Sequence, residues 1–124
     1  MFFAPTFDHA SSLGRNETDE TRVERLKTKD KGRSVQAYVE RARSAFFATP
    51  ASVKPLKTLE AFREAAKIRP AAADYWRERL VVIDRNLYRD ILDEVPDTEI
   101  SAPARDFACS MLEINANRLL KLKI

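Results

Sequence analysis

The chain has 124 residues, enough for one domain with its own hydrophobic core and no need of disulfides or a structural metal. A hydrophobic share of 44% beside a charged share of 33% fits a globular chain rather than a disordered one. The only two glycines, Gly14 and Gly32, argue against phosphate-cradling loops and against a sheet-rich fold with many tight turns. Net charge is +3, and the excess is local: nine basic residues face six acidic ones from Arg15 to Arg43, while the remainder carries 13 of each sign. A surface mixed in this way is ordinarily solvated and is weak ground for nucleic-acid binding.

The chain opens on a short apolar stretch. Phe2, Phe3, Thr6 and Phe7 favour an extended segment, and Pro5 confines it to an edge or a strand end. Asp8 to Arg15, with Ser11, Ser12 and Gly14, reads as a loop. Thr18 or Asp19 is placed to cap a short charged helix to about Lys27, with Val23 and Leu26 for burial. A turn over 29–33 follows. Ser34 then caps a second helix that the apolar spacing of Val35, Tyr38, Val39, Ala42 and Phe46 carries to about Phe47. Pro50 and Pro55 bracket a loop.

Thr58 caps a third helix with Leu59, Phe62 and Ala66 on one side. Pro70 opens a fourth, at a position where its missing N–H is no loss, and Ala73, Trp76, Leu80 and Ile83 form its face. Asp84 caps a fifth with Leu87, Tyr88, Ile91, Leu92 and Val95, and Arg89 and Asp93 make an i,i+4 pair on its solvent side. Pro96 ends it. Ser101 caps the last helix, Pro103 falls in its first turn, and the stripe runs through Ala104, Phe107, Ala108, Met111, Leu112, Asn115 and Leu119. The expected fold is mainly α: one domain over 1–124, a compact bundle-like lobe of about six helices. An extended segment and loop occupy 1–15, and the helices span 18–124.

Little in this chain is arranged for chemistry. His9 is the single histidine and Cys109 the single cysteine, which excludes a zinc cluster of the usual kind and an intrachain disulfide. Cys109 lies in an apolar helical pattern, where a buried inert thiol is expected. No G-x-S-x-G elbow, P-loop or isolated carboxylate pair stands out. Nothing resembles a signal peptide at Met1–Pro5, and no run of about 18 apolar residues is present, so a cytoplasmic protein is expected.

One stretch stands apart. Phe2 to Phe7 is an apolar strand delivering Asp8 at its end, followed by small residues to Gly14. An aspartate at a strand end is most often a turn or cap residue. It is also where a phosphotransferase holds a hard oxygen ligand for magnesium. Ala4-Pro5-Thr6-Phe7-Asp8-His9-Ala10-Ser11-Ser12-Leu13-Gly14 resembles a segment of the HipA-like Ser/Thr kinases, a toxin–antitoxin related family. Tyr38 to Phe46, Val95-Pro96, Ser101 and the helix from Ala104 to Leu120 are similar to later parts of one bacterial branch of that family, so the resemblance covers most of the chain. It implies that Asp8 is the metal-binding aspartate, with His9 and Ala10 in place of the usual DFG wording.

In such a kinase the nucleotide lobe, the phosphate-contacting loop and lysine, and the catalytic loop with its base aspartate and metal-ligating asparagine precede this point. Asn86, Asn115 and Asn117 fall in helices far along the chain and do not fit that asparagine's role. The resemblance therefore implies the C-terminal helical lobe of a kinase, truncated just before the metal-binding aspartate and inactive alone. It assigns no catalytic residue here and no cofactor to the chain by itself. Magnesium and ATP enter if a missing kinase portion completes it, and that portion or an antitoxin-type protein is the expected partner. Two other readings stay open: a non-enzymatic helical interaction or regulatory module, and nucleic-acid binding through Arg22, Arg25, Lys27, Lys29, Lys31 and Arg33.

Overall fold

A computed structural model describes residues 12–124. The expected extended segment over 1–7, with Asp8 and His9, lies outside the described residues. Among those described there are six helices and no strand longer than a single bridge. They are α1 (Asp19–Lys27), α2 (Val35–Arg41), α3 (Thr58–Ile68), α4 (Pro70–Val81), α5 (Asn86–Asp93) and α6 (Ala102–Lys121).

The caps follow the sequence closely. Thr18 Oγ1 accepts from the Thr21 N–H, Ser34 Oγ from Ala37 and Ser101 Oγ from Ala104, each satisfying a donor that the first turn leaves free. Pro70 and Pro103 sit in first turns. At α5 the expected Asp84 cap is displaced: Arg85 takes the flanking position with no side-chain cap bond, and Asp84, one residue earlier, accepts from the Asn86 N–H at 2.9 Å. At α3 the cap shifts by one residue: Lys57 takes the flanking position, and the Glu60 carboxylate accepts its backbone N–H at 2.9 Å.

The 20 residues of α6 span about 30 Å. Helices α1, α2, α4 and α5 all pack against α6, while α3 packs against α4. Phe107 and Met111 of α6 meet Val35 and Val39 of α2 in the core, with Leu26, Tyr38 and Ile114 around them. Phe107 is wholly buried, and the Tyr38 ring meets it edge-on at 5.3 Å. Cys109 is buried and unpaired, and desolvation pushes its thiol pKa upward, away from the reactive thiolate.

Three expectations are corrected. First, α2 stops at Arg41 instead of running to Phe47. Beyond it the backbone pairs with the stretch before α3: Thr58 N–H donates to Ala42 O, Ser44 N–H to Leu56 O and Leu56 N–H to Phe46 O. This irregular hairpin takes up the hydrogen bonds that a longer helix would have used, so tertiary pairing overrides local helical preference. Phe46 is 71% exposed as a result.

Second, the buried side of α4 runs through Ala73, Arg77 and Leu80, and Trp76 and Ile83 are exposed. Arg77 turns inward because its guanidinium donates to Leu120 O at 3.0 Å, near the free carbonyl end of α6.

Third, Arg89 and Asp93 do not pair with each other. Arg89 reaches Asp106 at 2.8 Å, and Asp93 goes to Arg105 at 3.2 Å. Arg105 also donates to Leu92 O and Val95 O and to Asp97, so one guanidinium from α6 closes the carbonyl end of α5. Tyr88, Leu92 and Val95 turn toward α6, leaving Leu87 and Ile91 exposed.

Asp19 ties the first helix to the last. Ser101 Oγ donates to Asp19 Oδ1 at 2.9 Å, and Arg22 donates to the same oxygen. Both bonds favour the carboxylate, the Ser101 bond more strongly, and hold the pKa of Asp19 below the ordinary 3.8. Because the folded-state pKa is the lower one, the unfolded chain binds more protons between the two values. The stabilisation is complete above pH 3.8 and is lost as pH falls through the folded-state value. Ser101→Ala is expected to cost about 1 kcal/mol at neutral pH through the lost cap. It should also flatten the fall in urea midpoint between about pH 5 and about pH 2.5 relative to the unaltered chain. Parallel acid dependences would show that the Ser101 bond does not set the Asp19 pKa.

Candidate functional site

The described chain begins at the loop that follows the Asp8 segment. Leu13 and Gly14 both have left-handed backbone, with φ of 57° and 72°. That geometry suits glycine and strains leucine. The loop is pinned from two sides. Arg22 donates to Gly14 O at 3.1 Å and Arg15 O at 3.3 Å, and Glu17 N–H donates to Gly14 O at 3.0 Å. Gly14 lies so close to the Phe107 ring that a Cβ there would stand 2.5 Å from Cε1. The small residue in this loop is therefore a packing requirement of the core as well as a turn residue.

A cleft of about 540 Å³ opens beside the loop, lined by Ser12, Leu13, Arg25, Tyr38, Arg41 and Thr58, among others. The Arg25 guanidinium lies over the Tyr38 ring at 5.0 Å and pairs with Glu17 at 2.9 Å. Burial, and then the Glu17 charge, raise the Tyr38 pKa, so its hydroxyl stays protonated. Arg41 donates to Gly32 O at 3.0 Å and has no acidic partner among the described residues. The lining thus supplies donors, a phenol and one uncompensated cation, with no carboxylate or imidazole. It is suited to holding a polar or anionic segment, and the described lining offers no general base.

Asp8, the one site residue expected from sequence, lies outside the described residues. Among those described, no group of three or more His, Cys, Asp or Glu is placed to hold a metal ion. Asn115 accepts from Arg118 and Asn117 from Arg85, so both have structural partners. The basic region proposed for nucleic acid is partly spent on internal contacts. Arg22 holds Asp19 and the Gly14 loop, Arg25 holds Glu17, and the exposed Arg33 pairs with Glu24, leaving Lys27, Lys29 and Lys31 as the cations of that set with no ion pair among the described residues. No helix among the described residues is long and apolar enough to cross a membrane.

Sequence reasoning did not single out Arg105, Arg77 or Arg41. Their roles depend on carbonyl groups brought near by the fold, and carbonyl groups leave no mark in a sequence. Comparison with family models, with curated proteins and with solved structures gives no match.

Proposed function

We propose that this chain is the C-terminal helical lobe of a HipA-like Ser/Thr kinase, working in the cytoplasm with a nucleotide-binding portion supplied by another polypeptide segment. The observation that carries the reading is the anchoring of the Ser12–Gly14 loop against Phe107. A metal-binding aspartate is useful only if its strand end is held to the body of the lobe. Gly14, which closes the resembling segment, is tied into the core by Arg22, Glu17 and the Phe107 ring.

Phosphoryl transfer needs several groups positioned at once: a phosphate cradle, a lysine, a base and two or more metal ligands. The described residues do not by themselves make a magnesium site, and Asp8 would contribute one ligand. Magnesium and ATP belong to the completed assembly, in which the ion would neutralise charge on the transferring phosphate. The isolated chain is expected neither to bind MgATP in titration calorimetry nor to release phosphate from it. Turnover by the purified chain that disappears in Asp8→Ala would overturn inactivity alone. The kinase-lobe reading itself is tested by the DNA upstream of the Met1 codon. A nucleotide-binding lobe and catalytic loop encoded there, in frame or as a neighbouring gene, support it, and an unrelated gene overturns it.

A second reading is favoured by exposed apolar residues on α4, on the segment after it and on α5. Trp76 is 53% exposed, Val82 75% and Ile91 58%, on adjoining segments. Large apolar side chains left exposed on consecutive segments suit a helical interaction or regulatory module that docks on an antitoxin-type protein. Proteins captured by the intact chain and lost on Trp76→Ala with Ile91→Ser would favour this reading over the first.

A further inference from the structure

A second cleft, of about 620 Å³, lies where α3 passes the end of α6, away from the Ser12–Gly14 loop. Its charged lining is all of one sign: Arg63 from α3, Arg118 and Lys121 from the last turn of α6, and Lys123 just beyond. Gln36 and Asn117 add amide groups, and Leu59, Ile114 and Leu122 form an apolar floor. The Asn117 oxygen is already taken by Arg85, which leaves its NH₂ as the free end.

Cations in the last turn of a helix have an ordinary explanation, since they complement the carbonyl end of α6. Arg118 and Lys121 fit that account, but Arg63 does not. It sits in the middle of α3, half-buried, and makes no hydrogen bond or ion pair among the described residues. Its Nε is buried without a partner. Two other guanidinium groups share that property, and both are otherwise anchored: Arg22 by Asp19 and Gly14 O, Arg77 by Leu120 O. Arg63 lines the cleft without any such anchor among the described residues. A half-desolvated guanidinium with no hydrogen-bond or ion-pair partner is unfavourable unless an acceptor comes to it.

The nearby carboxylates do not fill this need. Glu40 and Glu60 line an adjoining cleft that shares Leu59, Arg63 and Arg118 with this one, and neither forms an ion pair with Arg63 or Arg118. Glu60 accepts from the Lys57 N–H, and Glu40 accepts from the Gln36 amide.

We propose that this cleft binds a phosphate monoester, its phosphoryl group held by Arg63, Arg118 and Lys121 and its organic body resting on Leu59, Ile114 and Leu122. The terminal nitrogens of Arg63, the end of Arg118 left over from its Nη1 bonds to Val39 O and Asn115 Oδ1, and an ammonium match a dianion with three terminal oxygens better than a single carboxylate. The apolar floor gives a reason to prefer an ester over the free ion. The cleft volume suits a small ligand. This site is independent of the kinase reading and shares none of its residues.

The test is a titration of the full chain with phenyl phosphate and, separately, with inorganic phosphate, followed by amide chemical shifts. Phenyl phosphate is expected to saturate and to move the amides of 59–63 and 114–123 together. Inorganic phosphate should bind roughly tenfold more weakly. Arg63→Met should weaken phenyl phosphate by at least about tenfold, while Lys67→Met, the same charge change on the exposed side of α3, leaves it unaltered. Non-saturating shifts, equal affinity for the two probes, or equal weakening in both variants would each overturn the site. If Arg63→Met does not fold, the exposed pair Lys121→Gln with Lys123→Gln takes its place. Weakening of about threefold or more then supports the site, and unchanged affinity overturns it.

Discussion

Phe107→Ala is expected to destabilise the chain by about 3–5 kcal/mol, a large part of what a domain of this size has. Phe107 is the largest fully buried side chain among the described residues, and its ring has different neighbours on each side. Tyr38 meets it edge-on, Val35, Val39 and Met111 share its cluster, and the Gly14 backbone presses against it. Truncation removes the transfer free energy of the ring and leaves a hole bounded by two helices and a pinned loop, which cannot readily collapse. Urea unfolding followed by helical circular dichroism would show the midpoint falling sharply, with part of the population unfolded near room temperature. A loss below about 1 kcal/mol would mean that α6 is not the centre of the fold.

Gly14→Ala is the second large effect, expected at about 2–4 kcal/mol from two sources that can be separated. The left-handed backbone, φ 72°, penalises any Cβ by about 1 kcal/mol. The remainder is steric, because the new methyl would stand 2.5 Å from Phe107 Cε1 and 2.9 Å from Cδ1. A ring held by Tyr38 and Met111 has little room to withdraw. In a Phe107→Leu background the steric part should shrink, making the pair less destabilising than the sum of the singles. Strict additivity would place the whole effect in the backbone.

The features legible in the sequence are those that local chemistry decides. Thr18, Ser34 and Ser101 announce helix starts because a side-chain oxygen is needed where the backbone donors are free. Pro70 and Pro103 do so because ring geometry tolerates first turns only. Val35, Val39, Phe107 and Met111 are read correctly as core from their spacing.

The misreadings arise where a distant partner decides. The end of α2 is set by backbone pairing with Leu56–Thr58, the rotation of α4 by a carbonyl on α6, and the pairing of Arg89 and Asp93 by Asp106 and Arg105. The loop over 8–15 is legible in the sequence from Ser11, Ser12 and Gly14. That Gly14 is required by an aromatic ring over 90 positions away is not legible there. Arg63 carries no sequence signal, since an arginine within a charged helix looks the same whether or not it has a partner.

The packing order of the helices has a consequence for how the molecule opens. Helices α1, α2, α4 and α5 each lean on α6, but α3 and the hairpin before it hang from α4 and from one another's backbone bonds. The 42–68 segment contributes no side chain to the Phe107 cluster. It can therefore detach as a cooperative unit while that cluster stays closed. Its amides would exchange with solvent through a sub-global opening, whereas those at the middle of α6 would wait for the whole fold to come apart. Arg63 travels with the detachable part and Arg118 with the fixed one, so an anion held between them would act as a latch on that opening.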